Sequence, residues 1–269
     1  MVRSLQGVQV LEAREAMRTD NPRTLAVVPA YNEAETAPEV VRSLHRDAPG
    51  VDVVVIDDGS TDATAAAARA TGARVIRLPF NLGIGGAVQT GFVYARENGY
   101  DRMVQVDGDG QHVAAEIATL AAVMDEDPAT DMVCGSRFLG DNGYLAPISR
   151  RTGIHIFAFL LSRIVDRPVT DPTSGFRLYN RRAISLFARD YPHDYPEVEA
   201  VLMVHHHQLQ MREVPVRMLE RGGGVSSISS GKSAYYMVKV LLAIFVGLLR
   251  RRPVVEPGDA SPAPASHGI

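Results

Sequence analysis

From Thr24 onward, short apolar runs alternate with longer stretches of helical periodicity. TLAVVPA (24–30), VDVVVIDD (51–58), ARVIRLP (73–79), RMVQV (102–106) and DMVCGSRF (131–138) are dense in β-branched and other apolar residues. Between them lie EAETAPEVVRSLHRDA (33–48), DATAAAARATG (62–72), IGGAVQTGFVYARENG (84–99) and AAEIATLAAVMDED (114–127). The first of these puts Val40, Val41 and Leu44 on one helical face, and the second ends on Gly72, a helix-terminating residue. Strands apolar on both faces, each followed by one helix, predict an α/β fold with a mostly parallel central sheet covered by helices on both sides. Right-handed crossovers then carry the C-terminal end of every strand to one edge, where sheets of this kind bind ligands.

The second half is less regular. It holds the helical run GIHIFAFLLSRIV (153–165), a loop TDPTSGFRLYN (170–180), the acidic stretch HDYPEVEA (193–200) and a helix continuing through VEAVLMVHHHQLQ (198–210). A strand, QMREVPVRML (210–219), precedes the Gly/Ser loop ERGGGVSSISSGK (220–232). No linker or internal repeat divides the chain. It reads as an N-terminal extension (1–22), one domain (23–232), an apolar helix (233–252) and a disordered tail (253–269) rich in Pro, Ala and Ser. The apolar stretch 234–249 is shorter than the ~20 residues a bilayer requires. Followed by Arg250, Arg251 and Arg252, it fits a helix lying in the membrane interface, or one that pairs two subunits. Arg150 and Arg151, ahead of the Phe/Leu-rich helix, offer a second membrane-facing surface.

The unusual polar chemistry gathers where the strands end, in PAYNE (29–33), DDGSTD (57–62), NLGIGG (81–86) and DGDGQH (107–112). Asp107 and Asp109 lie two residues apart after a buried strand, so in extended backbone both carboxylates face the same way. Two like charges there call for a cation, and hard oxygen donors suit Mg²⁺ or Mn²⁺ bridging to nucleotide phosphates. Gln111 can complete or orient that shell, and His112 reads as a polar loop residue or a substrate contact. Asp57 and Asp58 offer acceptors for a ribose hydroxyl or a base N–H, with Ser60, Thr61 or Asp62 capping the next helix. Helices starting at this edge present free N–H groups to phosphate, and the whole rim reads as a nucleotide site.

Several alternatives fall away. NLGIGGAVQTG does not have the spacing of a dinucleotide fingerprint, and no P-loop occurs; Gly83, Gly85 and Gly86 serve a close backbone approach or a helix start. His205, His206 and His207 follow one another on a helix and cannot converge on one ion. Net charge of −3 with pI near 6.2 gives no electrostatic case for nucleic acid. The one cysteine, Cys134, excludes an intrachain disulfide and a multi-cysteine zinc site, and its apolar neighbours make it a core residue. The charged N-terminus does not read as a secretory leader. Arg221 and Lys232 flank the Gly/Ser loop and suit a lid closing over phosphate.

The ordered series PAYNE, IDDGSTD, NLGIGGA, VDGDGQH, GSRF, DPTSGFR and R-x-x-G-x-S, spread from Thr24 to Lys232, resembles family 2 glycosyltransferases of the GT-A fold. It is most similar to the branch of dolichol-phosphate mannosyltransferase and bacterial polyprenyl-phosphate sugar transferases. The resemblance implies a nucleotide-diphosphate-sugar donor, with Pro29, Tyr31, Glu33 and Asp58 lining base and ribose, Asp57 beside them, and Gly86 and Gly108 in the donor site. It gives Asp107, Asp109 and Gln111 to the metal and diphosphate, and Arg137, Arg221 and Lys232 to phosphates. Asp171 would stand by the reacting centre, and transfer would invert the anomeric carbon. At the lid, Val225-Ser226-Ser227-Ile228 replaces the G-x-S-K-[LM] common in that branch. The long transmembrane helices of several relatives are absent from this sequence.

Three functions follow as expectations. The first is metal-dependent transfer of a sugar to polyprenyl phosphate, by a cytoplasmic protein peripheral to the inner face of the membrane. The second transfers to a hydroxyl of a glycan and requires a general base, Asp171 ahead of Glu197 and Glu199. The third is a non-catalytic nucleotide-sugar-binding or scaffold protein, against which the acidic pair argues.

Overall fold

The computed structural model describes residues 22–140, 148–193 and 195–219. The expected extension 1–22 up to its last residue, the loop bearing Arg221 and Lys232, the apolar helix 233–252 and the tail 253–269 lie outside the described residues, as do the side chains of Arg150 and Arg151.

Seven strands form one sheet: β1 (Thr24–Ala30), β2 (Val51–Asp57), β3 (Arg74–Arg77), β4 (Arg102–Gln105), β5 (Met132–Ser136), β6 (Arg177–Asn180) and β7 (Met211–Pro215), in the order β3-β2-β1-β4-β6-β5-β7. The helices are α1 (Ala37–Asp47), α2 (Thr64–Arg69), α3 (Gly83–Glu97), α4 (Ile117–Glu126), α5 (Ile148–Val165), α6 (Arg181–Arg189) and α7 (Pro196–His206). All strands run parallel except β6, which is antiparallel to both β4 and β5.

The near-continuous apolar strands have the physical cause expected of them: both faces of the sheet are covered. Leu25, Val27, Ile56, Met103 and Tyr179 pack on one side against α3, α5, α6 and α7, around the Phe92 ring. That ring meets Tyr179 edge-on at 4.9 Å and Phe187 at 5.2 Å. Ala26, Val28, Val55, Val104 and Leu178 face the other way, onto Val40, Val41 and Leu44 of α1 and Leu120 of α4. Truncating a side chain as buried as Phe92 would cost about 3–5 kcal/mol. Pro29 sits in the central strand β1, where a missing N–H is normally a defect. It shares the parity of Val27, which points to β4, but pairing with β4 stops at Val27–Gln105. The proline therefore stands where no partner remains.

Three local expectations are corrected. RLYN, read as part of a loop, is the strand β6; its antiparallel course brings the preceding residues 171–176 onto the same edge as the C-terminal ends of the parallel strands. The helix after DDGSTD has Ala63 at its N-cap with no side-chain cap, while the Asp62 carboxylate accepts the N–H groups of Thr64 at 2.9 Å and Ala34 at 3.3 Å. The histidine helix stops at His206, where Gln208 takes a left-handed φ of 55°.

Candidate active site

The rim holds seven connections: residues 31–36 after β1, 58–63 after β2, 78–82 after β3, 106–113 after β4, 137–140 after β5, 171–176 before β6 and 216–219 after β7. The residues picked out from sequence fall into three groups along it.

The first group surrounds the ends of β1 and β2. Tyr31 is exposed, while Pro29 is buried with its carbonyl against Gly108, where a Cβ would come within 3.0 Å. Glu33 accepts from the Thr36 hydroxyl at 2.5 Å. Asp58 is already engaged: its two carboxylate oxygens accept the N–H groups of Leu82 (2.7 Å) and Gly83 (2.9 Å), at the start of α3. Burial raises its pKa despite those bonds. Asp57, expected beside the nucleotide, is fully buried and turned inward. It accepts from the Ser60 N–H at 3.1 Å and meets Arg77 Nε at 3.3 Å, so it braces the turn. The glycines of NLGIGG also serve packing. Gly83 opens α3 with a φ of 82°, and a Cβ on Gly85 would lie 2.4 Å from the Pro192 carbonyl. A Cβ on Gly86 would strike Leu82 at 2.5 Å, so the first turn of α3 packs closely there.

The second group is the acidic pair. Asp107 and Asp109 follow β4, both partly exposed, with Gly110 at a φ of 79° turning the chain back. Asp109 accepts the Gln111 N–H at 3.1 Å, and the Gln111 amide reaches the Leu219 carbonyl at 3.4 Å. Asp107 is braced by two neighbouring side chains. Gln105 Nε2 donates to its Oδ1 at 3.2 Å, and Gly175 leaves room beside it. His112 accepts the Asp107 N–H through Nδ1 at 3.0 Å and lies 3.7 Å from Oδ2 through Nε2. Burial lowers the pKa of that imidazole, which stacks 4.8 Å from Phe176. With Nδ1 accepting, the neutral ring carries its proton on Nε2, toward the carboxylate. His112 is thus a support for Asp107, a role its sequence position did not suggest.

The donor set suits Mg²⁺ or Mn²⁺. Two carboxylates and a primary amide offer hard oxygens, and among the described residues no group of three His, Cys, Asp or Glu gathers as a closed cage. A site of one or two carboxylates left open for substrate phosphates and water is how these ions are held in nucleotide enzymes.

The third group joins Arg137 and Asp171. Arg137 Nε donates to Asp171 Oδ2 and Nη2 to Oδ1, each at 2.7 Å, and the Arg137 N–H adds a third bond at 3.1 Å. Thr173 Oγ1 accepts from Nη2 at 2.8 Å. Asp171, expected by the reacting centre, is fully buried with both carboxylate oxygens engaged by Arg137. Glu213 of β7 accepts from the N–H groups of Thr170 and Asp171 at 2.7 and 3.1 Å, fixing the turn. Glu199 accepts the Tyr195 N–H at 3.3 Å and helps start α7. Glu197 is half-buried. Burial raises its pKa against the pull of Arg177. Cys134 is buried beneath, its thiol pushed up to about 12 by burial, and behaves as the core residue expected.

Sequence reasoning missed Gln105, Arg177, Thr173 and Glu213. Two carried a signal: Gln105 interrupts the apolar run MVQV, and Arg177 interrupts FRLY.

The family model of glycosyl transferase family 2 matches residues 25–187. The chain belongs to that family. This glycosyltransferase is 30% identical to polyprenol monophosphomannose synthase of Mycolicibacterium smegmatis over 249 residues, covering 88% of this chain and 93% of the relative. It is 32% identical to undecaprenyl-phosphate mannosyltransferase of Micrococcus luteus, covering 78% of this chain and 88% of that one. Its fold is shared with a crystal structure of glucosyl-3-phosphoglycerate synthase from Mycobacterium tuberculosis in complex with Mn²⁺, UDP-glucose and phosphoglyceric acid. There the TM-score is 0.67 at 21% identity, over 90% of this chain and 83% of that one. The family 2 assignment agrees with the resemblance drawn from the rim motifs. Among the described residues no helix of this glycosyltransferase is long and apolar enough to cross a membrane.

Proposed function

We propose that this glycosyltransferase moves a sugar from a nucleoside-diphosphate donor to a polyprenyl phosphate, working at the inner face of the cytoplasmic membrane as a peripheral protein. The observation that carries the reading is the acidic pair Asp107 and Asp109, braced by Gln105 and His112 at the mouth of the sheet. Such bracing is wasted on a scaffold, since it fixes one carboxylate in a partly exposed position. The two relatives named for transfer to polyprenyl phosphates support the acceptor. The neighbour holding Mn²⁺ and UDP-glucose supports the donor class.

Asp107 and Asp109, with Gln111 beside them, would hold Mg²⁺ or Mn²⁺. When bound, the ion neutralises charge developing on the departing diphosphate. The chain's own groups do the rest. The 58–63 and 31–36 connections flank the donor's nucleoside end, and Arg137, fixed by Asp171 and Thr173, offers a guanidinium edge for phosphate oxygen. A lipid phosphate is anionic before it attacks, so no base is required, and attack opposite the leaving group inverts the centre. A hydroxyl acceptor would need one, and Glu197, whose pKa burial raises, suits that task better than the arginine-locked Asp171.

The test is to incubate the full chain with a panel of nucleotide sugars, Mg²⁺ or Mn²⁺, and polyprenyl phosphate in detergent or liposomes. Sugar on the lipid, lost in Asp109→Ala with the melting temperature retained, is the expected outcome. Turnover with a glycan hydroxyl alone would replace the acceptor, and no turnover across broad panels would overturn the enzyme reading of the cleft.

A further inference from the structure

We propose that Arg177 is a positioning residue for Arg137, acting through the turn that carries Asp171 and Thr173. The inference rests on the reading of Arg137 as a phosphate contact. Arg177 opens β6 and is 1% exposed, among the largest fully buried side chains of the described residues. Its strand partners are Gln105 on β4 and Cys134 on β5, so it lies directly under the loop that holds the acidic pair. Gly175 and Tyr179, two residues away on either side, share its face of the strand.

A buried guanidinium is a costly way to fill space, and cores use Leu or Met where packing alone is needed. Arg177 donates from Nη2 to the Pro172 carbonyl at 3.2 Å, and the Cys134, Tyr179 and Tyr191 side chains surround its guanidinium. No carboxylate among the described residues lies within ion-pair distance of it, although the charge of Glu197 reaches it from α7. The bond to Pro172 is the contact by which Arg177 reaches the turn. Pro172 stands between Asp171, which takes three bonds from Arg137, and Thr173, which takes a fourth. Glu213 holds the turn by its N–H groups from β7, and Arg177 holds it by its carbonyl from beneath. Release of that carbonyl lets the Asp171 carboxylate and Thr173 hydroxyl shift together, and the Arg137 guanidinium shifts with them. The chain of contacts runs from a buried strand residue, through a proline carbonyl, to a guanidinium at the cleft.

The experiment measures KM for donor and for acceptor separately in the full chain, for Arg177→Lys, Arg177→Met, Arg137→Lys and Arg177→Met/Arg137→Lys. A displaced guanidinium weakens whichever phosphate it serves, so one KM rises about tenfold to a hundredfold while the other stays put. A rise for the donor assigns the diphosphate, and a rise for the acceptor assigns the lipid phosphate. In the Arg137→Lys background, Arg177→Met adds less than about a twofold further change, since both act on one contact. Effects of the two that multiply would reduce Arg177 to a packing residue and overturn the inference. Should Arg177→Met fail to fold, Arg177→Lys carries the test: it keeps charge and stem but not the planar donor fork. Normal melting with a raised KM supports positioning, and unchanged KM values refute it. Arg137→Lys without effect on either KM sinks the reading of Arg137 instead, which separates the two failures.

Discussion

Gly175 and Asp107 stand against each other across the seam between β4 and β6: a Cβ on Gly175 would lie 2.9 Å from Oδ2 and 3.1 Å from Oδ1 of the aspartate. The atoms it would strike are the end of a side chain, not backbone, so the fold can absorb a methyl group by swinging the carboxylate aside. The proposed cation site cannot, because Asp107 would be one of its ligands. Gly175→Ala should therefore shift the melting temperature by less than about 4 °C, the equivalent of roughly 1 kcal/mol. Mn²⁺ should bind it at least tenfold more weakly by order of magnitude, as when a supporting contact of a metal ligand is lost. Titration of Mn²⁺ against turnover and by calorimetry checks both. An unaltered affinity would place the ion away from Asp107.

The buried pair Arg137–Asp171 leads to a stability prediction. Asp171 is 0% exposed and the Arg137 side chain is nearly so, with two charge-assisted bonds of 2.7 Å between them. Asp171→Asn keeps the shape but removes the charge and points an amide donor at the guanidinium. Breaking such a pair costs about 3–5 kcal/mol, so melting should fall by about 10 °C in a domain of this size. A melting temperature equal to that of the unsubstituted protein would show that the pair does not form in solution.

The parts of this arrangement legible in the sequence are those set by local pattern. Val-rich runs such as VDVVVIDD announce strands buried on both faces, and an acidic pair at the end of MVQV announces a rim site, because both signals lie within a few residues. The motif series also pointed to the family. What escaped depends on residues far apart in the chain. The strand β6 is four residues long, starts with an arginine and runs antiparallel, so nothing in FRLYN distinguishes it from loop. Asp171 and Arg137 are separated by 34 residues, and only the antiparallel course of β6 returns the 171–176 turn to the rim where they meet. The glycines at 83, 85 and 86, read as a close backbone approach or a helix start, do open α3, but their contacts with Pro192 and Leu82 come from packing that composition does not disclose.

Glu197 gives the protein a pH signature. Burial raises its folded pKa above the usual carboxylate value, so the folded state binds the proton more tightly than the unfolded chain. The sign follows: this group favours folding below its unfolded pKa, and the benefit is lost as pH rises through the folded value. Gln mimics the protonated form without titrating. Glu197→Gln should thus melt higher than the unsubstituted protein at pH 8, and the gap should close as pH approaches 4. Melting curves across that range decide it, and a gap that widens toward acid would mean the folded pKa is lowered instead.

Ile156 and Phe159 test the membrane expectation on residues within the described fold. They are three apart on α5, hence on one face, and are 42% and 64% exposed, while Phe157 and Leu161 of the same helix face the core. An exposed aliphatic and aromatic pair on one face of a helix fits insertion at the headgroup boundary, where each residue adds apolar area removed from water. Ile156→Ser/Phe159→Ser removes that area without touching the core, so melting should change little, by about 1 kcal/mol or less in stability. Sedimentation with anionic liposomes should show a several-fold drop in the bound fraction, while turnover on a short-chain, water-soluble polyprenyl phosphate should persist. Binding to liposomes undiminished by the double substitution would assign membrane contact to another surface and leave these two side chains as ordinary exposed apolar residues.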